Sequence, residues 1–245
     1  MLRLLMENLA VAIVEPIYEV NLGHIARVMK NFGVNNLILI NPKVGLNEAI
    51  KFASYGLNIL KNAQVKSLDE VRKEYDLLIG TTAVSGKSHL NILRIVISPE
   101  ELAERLKSYN GKACVLLGRD TTGLKNDELA LCDMVVSINT GTDYNTLNIA
   151  HALAILLYEI SKIKIGSVGR EVASQQDRMR LIEYAIKLAE SSGYPYHKLH
   201  LLRESLTRIL GIAQPTPKEV YLIMGLLRKA LLAIKSYRTH STLLN

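Results

Sequence analysis

The sequence predicts an α/β fold, a parallel sheet covered on both faces by helices, followed by a small all-α C-terminal extension. Three observations carry that prediction. Five short apolar runs, LAVAIV (9–14), NLILI (36–40), DLLIG (76–80), ACVLL (113–117) and MVVSI (134–138), have the length of buried strands. Helical stretches alternate with them, as parallel strands joined by crossovers require. Beyond about residue 177 the pattern becomes wholly helical.

Between the first two runs a helix is expected over 22–33, with Ile25, Ala26, Val28, Met29 and Phe32 as its apolar stripe. Arg27 and Lys30 lie three apart on it. If the helix starts near Leu22 they fall in its first two turns, where the positive pole disfavours cations. Such a pair is either a solvated face or part of an anion site, in which free N–H groups and two cations hold a phosphate. Later helices are expected over 98–108, where Ser98 and Glu101 form a capping box, and over 125–132. The stretch LNIAHALAILLYEI (147–160) is apolar almost all round and reads as a buried helix. Residues 165–176, with Gly166 and Gly169, read as a linker. Helices over 177–192, 197–211 and 217–236 follow, the last opened by the capping box Thr216-Pro217-Lys218-Glu219. The expected organisation is an α/β domain over 1–164, the linker, and a helical domain over 177–245.

With 49% hydrophobic residues in 245, the chain can bury a substantial core. Cys114 and Cys132 sit in or beside apolar runs without paired-Cys or Cys/His spacing, which suggests a reduced cytoplasmic protein with no structural metal. Glu7 and Asn8 interrupt the apolar N-terminus, so neither a signal peptide nor a membrane span is expected. Charge is uneven. Residues 1–164 hold 18 Lys and Arg against 17 Asp and Glu, whereas residues 165–245 hold 12 against 6. A basic segment attached to a near-neutral one points to a polyanionic partner, nucleic acid first, with a merely solubilising tail as the alternative.

Ligands of open parallel sheets bind beyond the carboxyl ends of the strands. Three such ends are small, polar and followed or broken by glycine: Thr81-Thr82-Ala83, the run from Gly118 to Gly123, and the run from Asn139 to Thr146. Turn chemistry explains any one of them; three together favour a small-molecule site. No G-x-G-x-x-G follows the first strand and no G-x-x-x-x-G-K-[ST] occurs, which argues against a dinucleotide and a nucleotide triphosphate. No Ser/His/Asp set is legible, and His24, His89 and His151 are scattered.

N-L-G-H-I-A-R (21–27), L-L-G-R-D-T-T-G-L (116–124) and Y-N-T-L-N-I-A-H-A (144–152), in this order, resemble the three motifs of the SPOUT methyltransferases. The closest likeness is to the TrmJ-type tRNA ribose 2′-O-methyltransferases, over residues 9 to about 160. The resemblance implies a SPOUT-type sheet with a deep C-terminal trefoil knot, S-adenosylmethionine held in the knot, and a homodimer with a composite active site. It implies cofactor contacts at Thr81, Thr82, Ala83, Gly118, Ile138, Asn145, Thr146 and Leu147. Arg27, Asn21 and Thr146 become the catalytic residues, with Asn21 as the partner of Arg27. Lys30, Lys87 and Arg119 join Arg27 as RNA contacts. Asn145, Thr146 and Asn148 would face the cofactor and the reacting ribose. The chain departs from the family where Asp120 replaces a usual Glu, and where Lys87 is the only cation between Val84 and Ser88. The activity implied is methylation of tRNA, at cytidine 32 of the anticodon loop. An enzyme of the same fold acting on rRNA or another tRNA position, and a catalytically silent RNA-binding module, are the rival readings.

Overall fold

The computed structural model describes residues 2–83, 96–107, 109–163 and 171–242. Six strands form one sheet in the order β3-β2-β1-β5-β4-β6, and every pairing is parallel. They are β1 (Leu9–Val14), β2 (Asn36–Ile40), β3 (Gln64–Val65), β4 (Leu77–Thr81), β5 (Ala113–Leu117) and β6 (Met134–Val136). The central pair, β1 and β5, is buried at every residue, because helices cover both faces and no side of the strand meets water. Four of the five expected apolar runs match their strands to within one residue. The fifth, MVVSI, stops being strand at Val136. β3 is two exposed residues at the sheet edge and left no apolar signal.

The helices of this part are α1 (Leu2–Glu7), α2 (Glu19–Phe32), α3 (Leu46–Ala53), α4 (Leu57–Lys61), α5 (Leu68–Glu74), α6 (Pro99–Leu106), α7 (Asn126–Ala130) and α8 (Ile149–Ser161). α2 corrects the expected boundary. It starts at Glu19, three residues early, and ends at Gly33, whose φ of 76° closes the last turn onto the Met29 and Lys30 carbonyls. Arg27 therefore lies in the third turn and Lys30 in the last, where the helix pole is negative and a cation is favoured. The supposed conflict between charge and helix pole disappears. α6 has the expected capping box, Ser98 with Glu101.

α8 corrects a second expectation. Ala150, Leu153, Leu156, Leu157 and Ile160 are buried where α8 packs on α2 and α6, each burial contributing about 1.5–3 kcal/mol for the large side chains. Its other face, with Ile155 and Tyr158, is exposed in the single chain. Apolar composition all round does not here mean burial all round.

The chain divides into two compact units, residues 1–170 and 171–245. In the second, α9 (Gln175–Ser192), α10 (Leu199–Ala213) and α11 (Pro217–Thr242) enclose a core of Ala173, Leu181, Ile182, Ile186, Leu210 and Val220. α9 begins inside the stretch expected as linker. Ser174 is its cap, accepting the Asp177 amide, and Ala173 is tied to Pro215 by a backbone hydrogen bond. The Thr216 hydroxyl accepts the Glu219 amide while the Glu219 carboxylate accepts the Thr216 amide, completing the expected box. Among the described residues, no helix is long and apolar enough to cross a membrane.

Candidate active site

Parallel strands all end on the same side, so the loops after β4, β5 and β6 converge. They enclose a cavity of about 360 Å³, closed on one side by α8. Thr81, Thr82, Ala83, Gly118, Ile138, Asn145, Thr146 and Leu147 all line it. Leu117, Leu124, Val136 and Leu156 supply apolar wall between them.

The walls are held by backbone as much as by side chains. The Thr82 amide bonds the Val136 carbonyl at 3.0 Å, and the Thr81 hydroxyl donates to the Leu116 carbonyl at 3.0 Å. Arg119 and Gly123 exchange amide-to-carbonyl bonds at 3.1 and 3.0 Å, folding 118–124 into a tight loop in which Gly123 has φ 69°. A Cβ at Gly118 would lie 2.5 Å from the Gly123 Cα and closer still to its carbonyl carbon, so only glycine fits there. In the loop before α8, Asn145 accepts the Thr140 amide and hydroxyl at 3.1 and 2.6 Å. Its amide group keeps its donors, and the Thr146 hydroxyl has no protein partner, among the described residues.

A relay of polar side chains links the three sequence motifs. Asp120 accepts the Ile17 and Tyr18 amides at 2.8 and 3.2 Å, and the Asn21 amide group at 2.6 Å. Asn21 in turn accepts from Asn148 at 2.7 Å, and Asn148 accepts the Ala150 amide at 2.8 Å, capping α8. Two expectations are corrected here. Asn21 is the partner of Asp120 and Asn148, not of Arg27, and Asn148 caps a helix instead of lining the cavity. At its own length the Asp120 carboxylate thus accepts three hydrogen bonds.

The two motif arginines have opposite surroundings. Arg27 is exposed, lies outside the cavity lining, and pairs with no carboxylate among the described residues. Lys30 is exposed as well. Arg119, expected as an RNA contact, is paired inside the chain. Its guanidinium donates to Glu15 at 2.6 Å and to both oxygens of Glu128 at 3.0 and 2.9 Å, and the side chain is 13% exposed. That pairing, with a further bond from Asn41, holds the Glu15 carboxyl below the usual range, and the two carboxylates push Arg119 still higher. Lys87 and His89 lie outside the described residues. Glu15, Asn41 and Glu128 were missed from the sequence; only the position of Glu128, three residues after Lys125 at a helix start, carried a signal.

Among the described residues no group of His, Cys, Asp and Glu could hold a metal ion. The cavity offers close backbone approach, apolar wall and neutral hydroxyl and amide groups. Arg119 and Asp120 also line it, with their charged groups engaged by Glu15 and Glu128 and by Asn21, and the set suits binding and orienting a bulky, partly apolar cofactor.

The sequence model of the SpoU rRNA methylase family matches residues 8–158. Over 224 residues the chain is 33% identical to the tRNA (cytidine-2′-O-)-methyltransferase TrmJ of Methanocaldococcus jannaschii, covering 89% of this chain and 97% of that protein. It is 29% identical over 241 residues to the tRNA (cytidine/uridine-2′-O-)-methyltransferase TrmJ of Salmonella choleraesuis, covering 91% and 96%. Among solved structures it resembles TrmJ from Z. mobilis, with a TM-score of 0.70 and 25% identity over 90% of this chain and 97% of that one.

Proposed function

The chain belongs to the SpoU methylase family, and from that premise we propose that it methylates a ribose 2′-oxygen of tRNA, at cytidine 32 of the anticodon loop. The observation that carries the reading is the meeting of the second and third motif loops, with the loop after β4, around one cavity, in a chain alignable nearly end to end with TrmJ proteins. S-adenosylmethionine, the methyl donor of the family, supplies when bound a methyl group on a sulfonium. The residues present fit it. Leu117, Leu124, Ile138 and Leu156 would flank its adenine, while Thr81, Thr82, Ala83, Gly118, Asn145, Thr146 and Leu147 would hold its polar parts through backbone and side-chain groups.

The protein's remaining work is alignment of the ribose and relief of the charge developing on its oxygen. Thr146 would hydrogen-bond the 2′-hydroxyl. Arg27 would clamp the adjacent phosphate and stabilise the developing alkoxide, with Lys30 adding to the phosphate field. An arginine pKa above ~12 makes Arg27 a poor proton acceptor at neutral pH.

We further propose a knotted domain over 1–164 that works as a homodimer with shared active sites. The sharing of one cavity by the 118–124 loop and the segment from Val136 to Leu156 supports threading of one past the other. Ile17, Tyr18 and Val20 at the start of α2, with Ile155 and Tyr158 on α8, form exposed apolar surface that a second copy would cover. Arg27, outside its own chain's cavity, would then serve the partner's. Residues 171–245, with most of the net positive charge, would bind the tRNA body. The reading assigns the enzyme to the cytoplasm.

The test is incubation of the protein with bulk tRNA and isotopically labelled cofactor, followed by mass mapping of 2′-O-methyl nucleotides. A single labelled ribose at position 32 is expected. Label in rRNA but not tRNA would replace this reading with that of an rRNA enzyme, and no label in either would favour a silent RNA-binding homologue.

A further inference from the structure

The surface beside Arg27 carries aromatic side chains that belong neither to the cavity nor to the polar relay. α3 and the 3-10 turn that follows it, Ser54–Gly56, pack on α2 with no room to spare. A Cβ at Gly23 would lie 2.5 Å from both the Ala49 oxygen and the Phe52 Cβ, so α3 rests directly on the α2 backbone. A Cβ at Gly56 would lie 2.5 Å from the Ala26 carbonyl and 2.7 Å from the Arg27 nitrogen, so the turn is pressed onto α2 at Arg27 itself. These two contacts are four residues apart on α2, or about 6 Å along its axis.

What these contacts fix in place is aromatic. Tyr55, next to Gly56, is 88% exposed and Phe52 is 40% exposed, while His24 meets the Phe52 ring edge-on with centroids 6.0 Å apart. Tyr55 follows Ser54, a non-glycine residue held at φ 48°, a conformation that persists only where the surroundings enforce it. The phenol has no hydrogen-bond partner among the described residues.

The charge around these rings is positive. α2 and residues 46–61 contain Arg27, Lys30, Lys51 and Lys61 against two carboxylates, Glu19 at the far end of α2 and Glu48, which is itself paired with Lys51. A protein-binding surface would be depleted of charge at its centre. Rings interleaved with cations suit a nucleic-acid strand, in which bases stack and phosphates are neutralised.

We propose that Tyr55 and Phe52, flanked by His24, form a stacking platform for an unpaired tRNA base next to the methylated nucleotide. This rests on the methyltransferase reading above. Arg27 would take the phosphate beside the target ribose, and the platform would hold a neighbouring loop base out of its own stack. Recognition would be tolerant of sequence, since every base offers a π-face.

The experiment compares wild type, Tyr55→Ala and Tyr55→Phe in binding an unmodified tRNA transcript with cytidine at position 32, over a range of salt. Tyr55→Ala should weaken tRNA binding about five- to a hundredfold, and Tyr55→Phe should restore it. The slope of log affinity against log salt should not change, because a lost stack releases no counterions. Cofactor affinity and sedimentation should match wild type. A Tyr55→Ala protein that binds within twofold of a methylating wild type would overturn the platform and leave the methyltransferase reading intact. A Tyr55→Ala protein with altered association state would overturn it in favour of a protein contact. A wild type that neither binds nor methylates the transcript would remove both readings together.

Discussion

Replacing Asp120 by Asn changes one atom at the end of a directional chain of hydrogen bonds. The direction is fixed at the other end, because the Ala150 N–H can only donate, so Asn148 must present its oxygen there and its amino group to Asn21. Asn21 must then present its oxygen to Asn148 and its amino group to Asp120. The chain needs an acceptor at its terminus, and the carboxylate supplies two, the second taking the Ile17 and Tyr18 amides. An asparagine at 120 has one oxygen. Turned to the backbone amides, it sets NH2 against NH2 at Asn21; turned to Asn21, it sets NH2 against two amides. Flipping Asn21 and Asn148 in sequence only moves the conflict to the α8 cap. One unsatisfied donor pair costs about 1–3 kcal/mol. In a unit of 170 residues, each kcal/mol lowers Tm by about 2–4 °C, so a fall of about 2–12 °C is expected. Scanning calorimetry measures this directly, and Asn148→Ala completes a double-mutant cycle whose coupling should be about 0.5–3 kcal/mol. An Asp120→Asn protein with wild-type Tm, or strict additivity with Asn148→Ala, would show that water satisfies these groups and that the relay is not a unit.

Three other outcomes follow from the same geometry. Arg27→Ala should abolish methyl transfer while titration calorimetry finds cofactor affinity within about twofold of wild type, since Arg27 does not line the cavity; a large loss of affinity would refute its assignment to RNA. Gly118→Trp should abolish cofactor binding, because even its Cβ would run into the Gly123 backbone, whereas unchanged binding would place the cofactor elsewhere. Cys114 and Cys132 are buried and burial pushes both thiols up, so Ellman's reagent at pH 8 should label neither in the native protein and both in denaturant. Fast native labelling would contradict the packing around β5 and β6.

The sheet was legible because its strands are buried on both faces and therefore apolar at every residue, a signal that needs no partner strand to be read. β3 was not, since a two-residue exposed edge strand exists only through its pairing with β2. The start of α2 was hidden by its cap. Tyr18 makes no side-chain capping bond, and Asn21, the residue type that usually signals a helix start, is used sideways in the relay. The cavity lining came through well, because the strand-end rule and the motif resemblance converged on the same loops. Arg119 did not, for a physical reason: Glu15 is 104 residues away in sequence, and nothing local marks a guanidinium as already paired.

That contrast between Arg27 and Arg119 says why charge in a motif must be judged by what surrounds it. A cation gripped by two carboxylates has its field cancelled at close range and presents little to a passing phosphate. Its use is mechanical: Arg119 fastens the 118–124 loop to Glu15 beyond β1 and to Glu128 in α7, and so helps fix one wall of the cavity. Arg27 is positioned through its backbone, in α2 and under the turn pressed against it, while its side chain is exposed and pairs with no carboxylate among the described residues. A positioned backbone with an uncommitted guanidinium is what recognition of an external phosphate requires, because the cost of ordering falls on the fold before the RNA arrives. The same division runs through the site, with Asp120, Asn21 and Asn148 consumed by one another while the Thr146 hydroxyl and the Asn145 amide group have no protein partner among the described residues.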